Sequence, residues 1–354
     1  MTTSAFFQDR RRRNLIFLAA VAALSIVLAV WALWAESARL AGPERAETFF
    51  PSLPAQVRDI ARIHIASNKG AFDVVFKPDR GWVLPDRDNY PASFEEVRKT
   101  VVGMAALQTI ERKTARPDWL HYLDLGAPPK GAGVEVALED DKGATIAAVI
   151  AGKTTDIGDS SGATGLFVRK PDSNQSWLAR SVFQPDSDVA QWMDRAVLDI
   201  DRSRIAEARM EPANGPAFTV RRDKATDSDF TLVELPKGRE LTYPTAPDGV
   251  AGAIVGFTFD DAKPAKDFDF SNTTTLITRT FDGLAVTANV IKSGPDYWAT
   301  LSAEAQPGAK PEIAKEARDI DAKADGWAYK LPDYKGQQFM TTLDSLLKPE
   351  KAKK

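Results

Sequence analysis

The apolar residues of the chain fall into one unbroken run, several stretches that alternate with polar residues at period two, and one stretch spaced at three and four. The run covers residues 15–34, LIFLAAVAALSIVLAVWALW. A helix rising about 1.5 Å per residue needs roughly 20 such residues to span about 30 Å of hydrocarbon. Eleven of them are Leu, Ile, Val or Phe, and at about −0.3 to −0.6 kcal/mol each they sum to about −5 kcal/mol of insertion free energy. The pattern predicts a transmembrane helix over 15–34. Arg10, Arg11, Arg12 and Arg13 stand directly before it, and the flank after it is of mixed sign. Arginines concentrate on the cytoplasmic side, so the expected orientation keeps the N-terminus inside and places the bulk of the chain in the periplasm, anchored in the inner membrane. Trp31 and Trp34 close the run at its exit side, where an indole keeps its ring among acyl chains and its N–H in water. A cleaved signal peptide is the competing reading. Its apolar region is usually shorter and ends at a small-residue cleavage site, and neither feature is found here.

Period-two alternation begins at Ile60. Ile63 and Ile65, then Phe72, Val74 and Phe76, flank Asn68, Lys69 and Gly70, which predicts a hairpin with one buried face. Further strands are expected over 134–138, 146–150 and 166–169. The helical spacing lies between them. Ser93 followed by Glu96 is a capping-box pattern, and Phe94, Val97, Val101, Met104 and Leu107 recur at three and four, so one stripe of this helix faces a sheet. A charged helix over 311–325, a strand over 327–331 and a short last helix close the folded part.

The alternating stretches repeat. IARIHIASNKGAFDVVF from Ile60 resembles IAEARMEPANGPAFTVR from Ile205, and VEVALEDDKGATIAAVI from Val134 parallels TTLITRTFDGLAVTANV from Thr274. The blocks recur in the same order, which points to two successive modules. The expected fold class is α+β: an N-terminal transmembrane helix followed by two repeated modules of antiparallel sheet with a packed helix. The expected organisation is a cytoplasmic tail (1–14), the transmembrane helix (15–34), a linker rich in Gly and Pro (35–56), a first module (57–195), a second module with a C-terminal helix (196–347) and a disordered tail (348–354).

Composition narrows the chemistry. A net charge of −3 supplies no basic face for phosphates, so nucleic acid is not an expected partner. The chain has no cysteine, which excludes disulfides, thiol catalysis and thiolate zinc sites.

Several strings resemble a known family: FPSL, the strand ending W-V-L-P, YP before the capped helix, HYLDLG at 121–126, GLFVR at 165–169, WLAR at 177–180 and GWAYKLPDYKG near the end. Together they resemble the bacterial membrane-anchored family known as domain of unknown function 4340. The resemblance implies an extracytoplasmic protein associated with gliding-motility-like ABC transporter systems, with a transporter permease or auxiliary subunit as partner. It carries over no catalytic residues.

Motifs that suggest chemistry lack their required context. GDSSG at 158–162 fits the G-x-S-x-G pattern, but a nucleophile elbow needs a helix after the serine and a strand is expected there. No histidine follows Ser160; His121, Asp124 and Ser160 remain the one triad order available. AGKT at 151–154 lacks the upstream glycine of a phosphate loop, Ala147 standing in its place, and reads as a turn after a strand. Of the two histidines, His64 lies on the polar parity of its strand and His121 in a loop. Asp260, Asp261, Asp267 and Asp269 lack the glycine-centred loop of a calcium site. Trp82, Trp119, Trp177, Trp192, Trp298 and Trp327 are candidates for sugar stacking, with sheet and core positions as the simpler reading. Glu95 and Glu96 complement a helix N-terminus. No cofactor, metal or catalytic residue is assigned. The expected function is a non-enzymatic periplasmic accessory or interaction protein, with an envelope glycan- or lipid-binding module as the alternative and a serine hydrolase using Ser160 as a third reading.

Overall fold

The structure is a computed structural model that describes residues 47–349. Two antiparallel sheets account for most of it. The first has ten strands: β1 (Glu47–Thr48), β2 (Arg62–Ser67), β3 (Gly70–Lys77), β4 (Gly81–Leu84), β5 (Tyr90–Pro91), β6 (Gln108–Arg112), β7 (Val134–Glu139), β8 (Thr145–Thr155), β9 (Thr164–Arg169) and β10 (Ser176–Ser181). The second has eight: β11 (Ile205–Glu211), β12 (Phe218–Arg221), β13 (Thr231–Leu232), β14 (Asp261–Pro264), β15 (Thr274–Thr280), β16 (Leu284–Ser293), β17 (Asp296–Ala305) and β18 (Trp327–Leu331). The helices are α1 (Leu53–Gln56), α2 (Phe94–Ala105), α3 (Ala246–Gly252), α4 (Pro311–Ala324), α5 (Asp333–Phe339) and α6 (Leu343–Leu346).

The expected fold class is corrected by this architecture. Among the described residues only α2 and α4 exceed ten residues, at 12 and 14, and no helix is long and apolar enough to cross a membrane. The described residues therefore form two antiparallel sheets with few helices, and not the two α+β modules expected. The physical reason is connection length. Tight turns join β2 to β3, β7 to β8, β15 to β16 and β16 to β17, and such loops leave no chain from which a helix might be built. The expected span over 15–34, with Arg10, Arg11, Arg12, Arg13, Trp31 and Trp34, lies outside the described residues.

The sheets share one strand order. The first runs β6-β10-β9-β8-β7-β2-β3-β4, with β1 and β5 added at its two ends, and the second runs β14-β18-β17-β16-β15-β11-β12-β13. Ile63 faces Val74 and Ile65 faces Phe72 across the first hairpin, while Ala208 faces Val220 and Met210 faces Phe218 across the corresponding pair. Alternation put all of these side chains on one face, where each is buried.

Helix α2 caps the first sheet. Ser93 Oγ accepts from the Glu96 N–H at 3.3 Å, but the reciprocal half of the capping box is not made: the Ser93 N–H donates to the Trp192 carbonyl at 2.7 Å, and Glu96 pairs with Lys99 instead. Val97, Val101 and Met104 are buried, whereas Phe94 stands exposed at the helix start.

The segment expected as a linker is part of the body from Glu47 onward. Strand β1 pairs with β6, Phe49 donates its N–H to Leu107, and Phe49, Phe50 and Leu53 are buried. The prolines that suggested a connector, Pro51 and Pro54, sit in a turn and in the first turn of α1, where a missing N–H costs nothing. At the other end, Lys348 of the expected tail donates its N–H to the Glu240 carbonyl and pairs with the Glu240 carboxylate at 2.7 Å. Residues 350–354 lie outside the described residues.

Candidate functional site

The two sheets meet where β5, at an end of the first, approaches β14 and β18 of the second. Tyr90 stands edge to face with Trp327 at 4.8 Å between ring centroids and with Phe259 at 6.0 Å. Phe259 in turn packs on Tyr329 at 4.8 Å, and the Tyr90 hydroxyl donates to the Asp194 carbonyl at 2.9 Å. Burial drives the Tyr90 phenol far above its usual range, so it stays protonated. Arg87 bonds Asp261 at 2.7 Å beside this cluster, and Arg195 donates to the Phe259 carbonyl while lying over its ring. Residues 192–194 close the free edge of β5: Ala92 bridges Met193 and the Asp194 N–H donates to Pro91. Edge-to-face pairs of this kind are each worth about 0.5–1.5 kcal/mol beyond the area they bury. A single hydrophobic cluster runs through both sheets, from Phe49 to Leu347.

Three buried cations hold loops in place without a carboxylate. Arg169 donates to the carbonyls of Leu125, Lys170, Pro171 and Ser173. Arg222 does the same for Ile205, Asp227, Arg202 and Ser203. Lys335 reaches Ala253 and Val255, and burial pulls its ammonium below the usual lysine range.

Among the described residues no side-chain hydrogen bond assembles the candidate triad of His121, Asp124 and Ser160. GDSSG is a hairpin tip between β8 and β9. Asp159 accepts the Ser161 N–H at 2.8 Å and Arg180 Nε at 2.5 Å, and the Ser161 contacts, followed by Arg180, hold its carboxyl down at about 2. Strand β9 follows Ser160, so its hydroxyl is not presented at an elbow. His121 lies in a 3₁₀ turn (Pro117–Leu123), its ring 3.8 Å from that of Tyr122; its carbonyl accepts the Asp124 N–H at 3.2 Å, but no side-chain hydrogen bond joins its ring to Ser160 or Asp124 among the described residues. AGKT is not a turn but part of β8. Gly152 packs so close to the Leu123 carbonyl that a Cβ would stand 2.1 Å from its oxygen, which is why a glycine sits there.

His64 lies on the polar face, as its parity indicated, with Nδ1 bonded to Asp73 Oδ1 across the hairpin at 2.7 Å. Both belong to the outer side of the first sheet, where His64 lines a cavity of about 500 Å³ together with Glu135, Ala137, Ala148, Lys170 and Phe50. Among the expected acids, Asp261 pairs with Arg87 and Asp269 accepts from the Ser271 N–H. No group of three or more potential metal ligands is assembled among the described residues. Of the tryptophans, Trp192 and Trp298 are buried and Trp327 is packed on Tyr90, in the cluster of rings that joins the sheets. Trp119 is 48% exposed and the neighbouring Tyr122 64%. Arg116, pinned to Asp118 at 2.7 Å, covers one face of the Trp119 ring at 4.6 Å.

Sequence reading missed the joint. Tyr90 was visible only as the YP before the capped helix, and nothing local marks it as the contact to a strand more than two hundred residues further on.

Residues 82–247 match the family described as Domain of unknown function (DUF4340). The match starts in β4 and ends in α3, taking in Tyr90 but not Phe259, Trp327 or Tyr329, and it supports the family resemblance carried by the W-V-L-P, HYLDLG, GLFVR and WLAR strings. No curated protein and no solved structure matches the chain.

Proposed function

We propose that the chain is a non-enzymatic accessory or interaction protein at the extracytoplasmic face of the inner membrane, an auxiliary component of an ABC-type transporter or related envelope complex. The observation that carries this reading is the joint. Tyr90, Phe259, Trp327 and Tyr329 fix the two sheets against each other, and a body of fixed shape is what a docking subunit has to present. The Arg116, Trp119 and Tyr122 surface has the composition of an interface centre, since Trp, Tyr and Arg dominate binding energy at protein contacts. The location rests on the arginines at 10–13 and the apolar run at 15–34.

Purification of the full chain from native membranes in mild detergent tests the reading. Recovery of a transporter permease with the wild type, and its loss with Trp119→Ala, is the expected result; a lone monomer contradicts it. A second reading, glycan binding by an envelope module, is favoured by one feature: Trp119 and Tyr122 expose aromatic faces while the indole N–H and the phenol make no hydrogen bond among the described residues. A soluble oligosaccharide that quenches Trp119 fluorescence saturably would favour this reading over the first.

A further inference from the structure

The cavity on the outer face of the first sheet brings His64 together with Glu135 and Lys170, whose charged groups have no hydrogen-bond or ion-pair partner among the described residues. His64 is held from one side. An ionised carboxylate only accepts hydrogen bonds, so in the 2.7 Å contact with Asp73 the Nδ1–H is the donor. In the neutral ring this leaves Nε2 as an acceptor, and no donor among the described residues bonds it. Glu135 lies two residues along β7 from the Ala137 that faces His64, and among the described residues its carboxylate accepts no hydrogen bond and forms no ion pair. It feels the charge of Arg169, but that guanidinium is taken up by carbonyls. Across the cavity, the Lys170 ammonium is likewise unpaired. The floor between them is Ala137 and Ala148, which are neighbours on β7 and β8, and such small side chains leave the space unfilled.

One wall thus offers two acceptors, the Glu135 carboxylate and an imidazole nitrogen, with the Glu139 carboxylate tied to Arg62, and the other the Lys170 ammonium with Asp172 two residues along the chain. We propose that this cavity binds a small zwitterion whose ammonium is taken by Glu135 and His64 Nε2 and whose carboxylate is taken by Lys170, as the two ends of an amino acid or short peptide present them. Partly enclosed charge pairs of this kind fix orientation more than they add affinity, so binding is expected in the millimolar range. The site goes beyond the docking role proposed above and does not depend on it.

The chain's two histidines make the test direct. In full-length protein with labelled histidine, the probe glycylglycine is expected to shift the His64 ring signals saturably while His121, in the 3₁₀ turn, stays in place as the internal reference. The uncharged analogue N-acetylglycine N-methylamide is expected to shift neither. Glu135→Gln and Lys170→Met, both on the outer surface, should each weaken binding by about tenfold. The proposal is overturned by the absence of a saturable His64 shift, by equal shifts with the uncharged analogue, or by unchanged binding in both variants. A saturable shift with phosphoethanolamine but none with glycylglycine would also overturn it, since the anion bound would then be a phosphate headgroup.

Discussion

Tyr90, in a strand of only two residues at the end of the first sheet, places its ring 4.8 Å from that of Trp327 in the second. It also reaches Phe259 and, through its hydroxyl, the backbone at Asp194, so one side chain touches both sheets and the segment that connects them. Removing only the hydroxyl, in Tyr90→Phe, keeps the ring contacts and is expected to cost about 1 kcal/mol in denaturant unfolding.

Arg222 is the strongest single organiser of the second sheet's entry. Its guanidinium satisfies the carbonyls of Arg202, Ser203, Ile205 and Asp227 from a buried position between Phe230 and Phe281. Arg222→Met removes a donor from each of those carbonyls, only Arg202 keeping the Ile205 N–H as a known second donor, and should cost about 3 kcal/mol or more. Arg222→Lys should recover little, because an ammonium cannot reproduce the planar fork. Urea unfolding of the two variants checks both statements.

The cap of α2 separates two roles that one motif suggested. Ser93→Ala removes the acceptor of the Glu96 N–H and should cost about 1 kcal/mol. Glu96→Gln should change stability by less than about 0.5 kcal/mol, because Glu96 pairs with Lys99 and does not reach back to the Ser93 N–H. Equal losses in the two variants would mean that the full capping box forms in solution.

Legibility in the sequence followed the range of the interactions. The 62–77 hairpin and α2 were readable because their burial follows a local period, two in Ile63, Ile65, Phe72 and Val74 and near 3.6 in Val97, Val101 and Met104. The 47–56 segment was not: Phe49, Phe50 and Leu53 are core residues, but Gly and Pro nearby carry the signature of a connector, and only the tertiary contact with Leu107 decides the matter. Of the cavity, the sequence showed the parity of His64 but not Asp73, Glu135 and Lys170 around it, since register across at least four strands sets that arrangement.

If 47–53 belongs to the core, its substitutions must behave like core substitutions. Leu53→Ala should cost about 2–5 kcal/mol, whereas a change in a loose connector stays within about 0.5 kcal/mol. Thermal unfolding of the full chain separates the two outcomes.

The hairpin tip at Asp159 should respond to acid. Its folded-state value of about 2 lies below the ordinary aspartate value, about 3.9 in the unfolded chain, so the stabilisation is fully present above about 3.9 and is lost as pH falls toward about 2. A carbon-detected titration of the Asp159 carboxyl should show the low midpoint, and Ser161→Ala should raise it, the Ser161 contacts being the largest cause.

Tyr90→Ala opens the joint itself. Replacing a buried aromatic ring by a methyl group should cost about 3–5 kcal/mol and uncouple the sheets. Scanning calorimetry of the full chain measures this directly: the wild type is expected to unfold in a single transition and Tyr90→Ala in two, with each sheet melting on its own. Two independent transitions in the wild type, or one unshifted transition in the variant, would contradict a two-sheet body locked at Tyr90.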